Sequence, residues 1–365
     1  MKAFHICYHT DEDGLASAAV IYEYLKRVNK NSPIGIKYFF YKIDYTVNLK
    51  NIIKSIQPGD ELYFVDYSFS NRRNLEYALE LSNNDIKVIW IDHHRTSEKI
   101  IMGLEYHDIE LKNYPNFEYF IDSVYCGAYL SYIYAFCKLN KTKPRVNYPV
   151  SVPLYLEYVD SWDVWKFNVD KTEEFHIGVK SEHRTPKSVF SSMFKYNNMV
   201  LSKLFSGNKK DIATVNTYME SYINEAIAKG EIIKKYQDIT NESLCNEYGF
   251  ELNIVDKTED NIKVYKCFAV NRRGNSTLFG DKFYKYDIVI PFQFNGNQYV
   301  YSLFTSKNDI DCEELAKKLG SIDKLGGGGH SKAAGFQTYT QLIKADCNVY
   351  ITNRLFRKGY NICTK

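Results

Sequence analysis

The sequence predicts an α/β protein built as a parallel-sheet lobe, a helical connector and a smaller mixed α/β lobe, with the active site in the cleft between the lobes. Three observations predict it. Over residues 1–170 short apolar runs alternate with helically spaced apolar patterns, as expected of parallel strands joined by crossover helices. Three of those runs stop abruptly at acidic or imidazole side chains, and chemistry collects at the carboxyl ends of strands in an open parallel sheet. From about Leu244 the pattern changes to strand, strand, helix, strand, strand, helix. The boundaries read as 1–185, 186–240 and 241–365.

In chain order, the apolar run Phe4-His5-Ile6-Cys7-Tyr8 leads into His9, Asp11 and Asp13. Residues 14–25 have helical spacing and begin beside Asp13, so the free N–H groups of that helix favour an anion there. A strand over 36–41 and a Pro58-Gly59-Asp60 turn precede the run 62–65, which ends at Asp66. A helix over 71–82 follows, and then Val88-Ile89-Trp90-Ile91 ends in Asp92-His93-His94. The chain loosens over 106–119 before Cys126-Gly127-Ala128 opens a helix, where small residues have an ordinary packing explanation. Residues 154–165 carry Asp160 and Asp163, three apart and so neighbours on one helical face.

Residues 186–240 show helically spaced Phe190, Met193, Phe194, Met199 and Leu204, then a long polar-faced helix over 211–235. They read as a connector whose lysines form a solvated face. Beyond it come strands over 250–255 and 264–270, a helix over 277–283, strands over 287–294 and 299–305, and a helix over 312–319. Gly326-Gly327-Gly328-Gly329-His330 follows directly. Four glycines alone could be a hinge, but the His330 beside them adds a candidate ligand, and bare N–H groups suit phosphate.

The strand-end residues carry the chemistry. An isolated Asp such as Asp66 could simply cap a helix. Caps do not require His-x-Asp-x-Asp plus two further strand-terminal Asp, one followed by a His pair. Mixed carboxylate and imidazole donors suit Mn²⁺, Zn²⁺ or Fe²⁺, and bridging carboxylates hold two such ions roughly 3.5–4 Å apart for attack on phosphorus. The set reads as a two-metal phosphoesterase centre.

Taken with Val65-Asp66, Tyr158-Val159-Asp160 and the run Gly326 through Phe336, these motifs resemble the DHH/DHHA1 phosphoesterase superfamily, and within it the oligoribonucleases of the NrnB type. The resemblance implies His9, Asp11 and Asp66 around one ion and Asp13, Asp66, His93 and Asp160 around the other, with Asp66 bridging. Asp163 is the alternative to Asp160. Asp92 then stands close to the ions or supports the histidines, and His94 meets the phosphate or protonates the leaving oxygen. In the second lobe the resemblance points to His330, Gly328 and Gly329 as substrate contacts. Asn271, Arg272 and Arg273 are further candidate contacts to phosphate or base. Where relatives carry Ser-Leu-Arg-Ser, this chain has Ser302-Leu303-Phe304-Thr305 and lacks the guanidinium; Phe304 could stack on a base but reads better as core.

Composition narrows the setting. Lys and Arg total 47 against 44 Asp and Glu, so any nucleic-acid ligand must be met by a local patch. The start of the chain lacks the features of a signal peptide and no run has the length of a membrane span, so a cytoplasmic protein is expected. Its eight cysteines stand singly and read as reduced. The expected activity is hydrolysis of short oligoribonucleotides to mononucleotides with two divalent ions, Mn²⁺ foremost and Mg²⁺, Co²⁺ or Fe²⁺ as alternatives. The expected partner is a short RNA or nucleotide, with no membrane and no obligate protein partner; a homodimer is compatible with the sequence. Rival readings are a cyclic-dinucleotide or other small-nucleotide phosphodiesterase, a polyphosphate or pyrophosphate hydrolase, and a nucleotide-binding module without catalysis.

Overall fold

A computed structural model describes residues 1–182, 184–194, 197–257, 262–345, 347–352 and 363–364. The chain divides into two compact units, residues 1–233 and 234–365. In the first, β1 (Lys2–His9), β2 (Ile36–Ile43), β3 (Glu61–Val65), β4 (Lys87–Asp92) and β5 (Phe117–Ile121) form one sheet in the order β2-β1-β3-β4-β5. Every neighbouring pair is parallel. Parallel strands need crossovers, and helices cover both faces: α1 (Glu12–Val28) and α4 (Gly127–Leu139) on one, α2 (Arg72–Asn83) on the other. Alternate side chains divide accordingly. Ile6, Tyr63, Val65, Ile89 and Ile91 pack with Ile21, Leu25, Leu130 and Ile133. Leu62, Phe64, Val88 and Trp90 pack with Leu75, Ala78 and Leu79.

The strand order reverses at β1: β2 lies to one side of it and β3 to the other. Brought side by side, the carboxyl ends of β1 and β3 leave a crevice where the following helices diverge. This topology puts His9, Asp66 and Asp92 on one rim. α3 (Arg95–Ile101) follows β4, α5 (Leu154–Asp163) and α6 (Thr172–Lys180) follow α4, and α7 (Lys209–Tyr248) spans the boundary of the units.

The second unit holds a mixed eight-stranded sheet. Its strands are β6 (Gly249–Lys257), β7 (Ile262–Val270), β8 (Ile288–Phe294), β9 (Tyr299–Phe304), β10 (Gly327–Gly329), β11 (Ala333–Thr338), β12 (Asn348–Thr352) and β13 (Cys363–Thr364), in the order β10-β11-β9-β8-β7-β6-β12-β13. One face packs on α8 (Cys312–Gly320), with Leu315, Ala316 and Leu319 against Ile288, Ile290, Leu303 and Phe336. The helix expected over 277–283 is a 3₁₀ turn at Ser276–Phe279 and a short helix at Lys282–Lys285.

Further features differ from the sequence reading. The loosened stretch before Cys126 contains β5, an edge strand whose Phe-Glu-Tyr-Phe-Ile run is too short to signal itself. The glycine run is itself a strand: β10 pairs antiparallel with β11, a contact made by backbone alone and invisible to side-chain patterning. Cys7, Cys126, Cys137, Cys245, Cys267 and Cys312 are free and buried as expected, whereas Cys347 is disulfide-bonded. Singly spaced cysteines carry no pairing signal, and only the folded distance decides. Among the described residues no helix is long and apolar enough to cross a membrane.

Candidate metal centre

Each strand end delivers its side chain by a different local device. Asp11 caps α1, accepting the Gly14 N–H at 3.0 Å, while its other oxygen lies 2.6 Å from His9 Nδ1. Asp66 adopts a left-handed backbone (φ 52°) after β3, a conformation that Asp tolerates better than most residues. Asp92 ends β4 fully buried. One of its oxygens lies 2.7 Å from His94 Nδ1 and the other accepts the Ser97 hydroxyl.

The N-terminus of α4 closes the crevice. Gly127 and Ala128 N–H both donate at 2.7 Å to the carboxylate of Asp13, where the helix dipole also favours a negative charge. A side chain at Gly127 could not exist here, because its Cβ would meet the Asp66 Cβ at 2.8 Å. The Gly-Ala helix start therefore has a site-related reason as well as a packing one: it lets the helix reach the carboxylates.

Among the described residues, three sets of ligand atoms gather within 4.8 Å: His9, Asp11 and Asp66; Asp13, His93 and Asp163; and Asp66, Asp92, His93 and His94. His93 Nε2 stands 3.2 Å from Asp66, 3.2 Å from Asp163 and 3.6 Å from Asp13. Asp160 is engaged by other partners: one oxygen accepts the Cys126 N–H at 2.8 Å and the other pairs with Lys166 Nζ at 2.6 Å. The structure thus brings Asp163, not Asp160, to His93. It also adds a residue that sequence reading missed. Tyr45, in the loop after β2, has its hydroxyl 3.0 Å from His94 Nε2, and no motif marks it.

The electrostatics call for a cation. Burial and the charge of Asp163 push Asp13 up to about 7. Burial and Asp11 do the same to Asp163, up to about 7. Burial together with Asp13, Asp11 and Asp163 holds Asp66 well above the ordinary carboxylate range. Asp66 Oδ2 is buried without a hydrogen-bond partner. Buried carboxylates that repel one another, one with an unsatisfied oxygen, fit hard or borderline divalent cations through oxygen and imidazole donors. Asp92 and His94 behave oppositely. Burial would raise Asp92 but the His94 charge and hydrogen bond hold it at about 2; burial would lower His94 but Asp92 holds it at about 9.

In the second unit β10 carries Gly328, above which a side chain would meet open space, while Gly327 lies against the Ala316 carbonyl. His330 follows at a tight turn, its N–H donating to the Ala333 carbonyl at 2.7 Å. Asn271 and Arg273 are exposed beyond the end of β7. Because β8, β9 and β11 separate β7 from β10, they stand four strand spacings from the glycine strand, roughly 19 Å along the sheet. The structure does not bring them to His330. Phe304 is half-buried on the sheet face opposite Leu303 and outside the core cluster, because strand side chains alternate.

No curated protein matches the chain. Among solved structures, an uncharacterized protein from Helicobacter pylori G27 is 17% identical, with 93% of each chain covered and a TM-score of 0.34. RecJ in complex with Mn²⁺ from Thermus thermophilus is 14% identical, with 92% of this chain and 49% of that chain covered and a TM-score of 0.43. The pGpG-specific phosphodiesterase PggH from Vibrio cholerae is 13% identical, with 92% and 93% covered and a TM-score of 0.40. Residues 3–149 match the family described as DHH family, N-terminal domain. All three strand-end motifs fall inside that match.

Proposed function

We propose that the chain is a metal-dependent phosphodiesterase that hydrolyses short oligoribonucleotides to mononucleotides. The observation that carries the metal-dependent part is Asp66, whose buried and unsatisfied Oδ2 belongs to a carboxylate shared by all but one of the ligand groupings. His9, Asp11 and Asp66 would hold one divalent cation, and Asp66, Asp13, His93 and Asp163 the other. When bound, two such ions supply a reactive water near neutral pH and neutralise charge on the phosphate. Mn²⁺ is the expected ion because carboxylate and imidazole together accept it readily.

The chain's own groups complete the chemistry. His94, fixed through Nδ1 by Asp92, offers an N–H toward a phosphate or leaving oxygen. The α4 N-terminus holds Asp13 in one orientation through two N–H bonds. His330 and the open-faced Gly328 are assigned to gripping the substrate away from the scissile bond, contacts whose energy serves positioning. The resemblance to oligoribonucleases supports a short linear RNA. The test is initial rates, with Mn²⁺, for a linear diribonucleotide, a long RNA and a cyclic dinucleotide side by side. Fastest turnover of the diribonucleotide is expected; faster turnover of the cyclic compound would assign the site to cyclic dinucleotides instead. Chelator-treated protein that stays fully active would sink the metal-dependent reading.

A further inference from the structure

Tyr45 has no place in any strand-end motif, yet its hydroxyl lies 3.0 Å from Nε2 of His94, the nitrogen left over once Asp92 has taken Nδ1. Its position is built. The Tyr45 ring stacks on Tyr67 with centroids 5.6 Å apart and planes 18° apart, and sits 5.2 Å from the ring of His9. Tyr67 is fully buried, its hydroxyl accepts from Asn74 Nδ2 at 3.0 Å, and its carbonyl accepts from Trp90 Nε1 at 2.9 Å. The loop that carries Tyr45 is itself pinned, since Asp44 Oδ1 accepts both the N–H and the hydroxyl of Thr46. The residue as a whole remains 37% exposed. An aromatic residue held this firmly, with its only polar atom aimed at the working nitrogen of a histidine, is a preorganised donor rather than a surface side chain.

We propose that Tyr45 is a substrate-contacting residue: its hydroxyl and His94 Nε2 converge on the same phosphate oxygen. The inference rests on the phosphodiesterase reading above. Without substrate His94 Nε2–H donates to the Tyr45 hydroxyl oxygen, which leaves the hydroxyl's own proton to meet an incoming acceptor. A phosphate oxygen entering between them accepts from both, so the hydroxyl adds a second neutralising contact where charge accumulates as the phosphorus–oxygen bond breaks. Because the two donors serve one oxygen, losing either should disable most of what the other does.

The experiment compares wild type, Tyr45→Phe, His94→Ala and the double variant on a linear diribonucleotide with Mn²⁺, alongside calorimetric titration of Mn²⁺ into each protein. Tyr45→Phe keeps the ring and its stacking and removes only the hydroxyl. Its kcat should fall on the order of 10²-fold while its KM and Mn²⁺ affinity stay near wild type. Adding it to His94→Ala should cost far less than adding it to wild type. An active wild type matched by an equally active Tyr45→Phe overturns the proposal and leaves the parent reading standing. Weakened Mn²⁺ binding in Tyr45→Phe overturns it too, by showing that the hydroxyl supports the ligand cluster. A Mn²⁺-loaded wild type that cleaves no phosphodiester at all overturns the parent reading and this one with it.

Discussion

The two sheets treat their strand ends differently. In the first unit, three parallel strands end in acids and imidazoles, among which His9 and His93 lie 3.8 and 3.2 Å from the buried Asp66, one of whose oxygens is unsatisfied. In the second, the candidate contacts are a glycine strand whose Gly328 faces open space and a histidine on a tight turn. Crowded, repelling, desolvated groups are costly unless a cation sits among them, so they mark chemistry. Open backbone beside one side chain is inexpensive and suits recognition. On the proposed function the first would be a reacting centre and the second a grip, and variants in each test the two parts separately.

The sharpest break is Asp66→Asn. It should remove bound Mn²⁺ and lower kcat by on the order of 10³-fold or more, since one carboxylate is asked to serve both ions. Metal content and turnover at wild-type levels would reduce Asp66 to a turn residue. The same measurement on Asp163→Asn and Asp160→Asn divides ligand from support. Asp163→Asn should lose metal, whereas Asp160→Asn should keep it and instead lower the thermal midpoint, because it weakens an N–H contact at the start of α4 and the Lys166 pair, worth about 1 kcal/mol. The opposite pattern would exchange their roles.

Next in size, His94→Ala should bind Mn²⁺ almost normally and lose roughly 10²- to 10⁴-fold in kcat. Equal loss of metal would make it a ligand. His330→Ala tests the grip: kcat/KM on a diribonucleotide should drop about tenfold or more, with little change on a small artificial phosphodiester that has no remote part to hold. An equal drop on both would move His330 into the chemistry.

The smallest effect concerns stability. His176 stacks on Trp162 at 4.1 Å, and burial together with the Lys180 charge lowers its pKa to about 3 from an ordinary value near 6.5. Between those values the unfolded chain binds a proton that the folded chain does not, so stability falls as pH drops below 6.5 and is unaffected above it. His176→Phe should flatten the fall of the thermal midpoint between about pH 6.5 and 5 relative to wild type. An unchanged slope would show that His176 accepts its proton within the fold.

Much of this was legible in the residue order. A strand buried on both faces must be a continuous apolar run, and polarity can return only where it leaves the sheet. His9, Asp11, Asp13, Asp66, Asp92, His93 and His94 are therefore readable as strand-end residues, and the alternation of runs and helical patterns gives a parallel sheet. The second sheet was legible where side chains alternate and illegible at β10, where pairing is made by glycine backbone alone. Which acid of α5 faces His93 was beyond sequence. Asp160 and Asp163 share a helical face and differ by a rise of roughly 4.5 Å, and only the packing of α5 against the start of α4 selects between them. Tyr45 was beyond it too, since a tyrosine in a loop after an edge strand carries no periodic signal, and its meaning comes from the Tyr67 ring that the tertiary fold places beneath it.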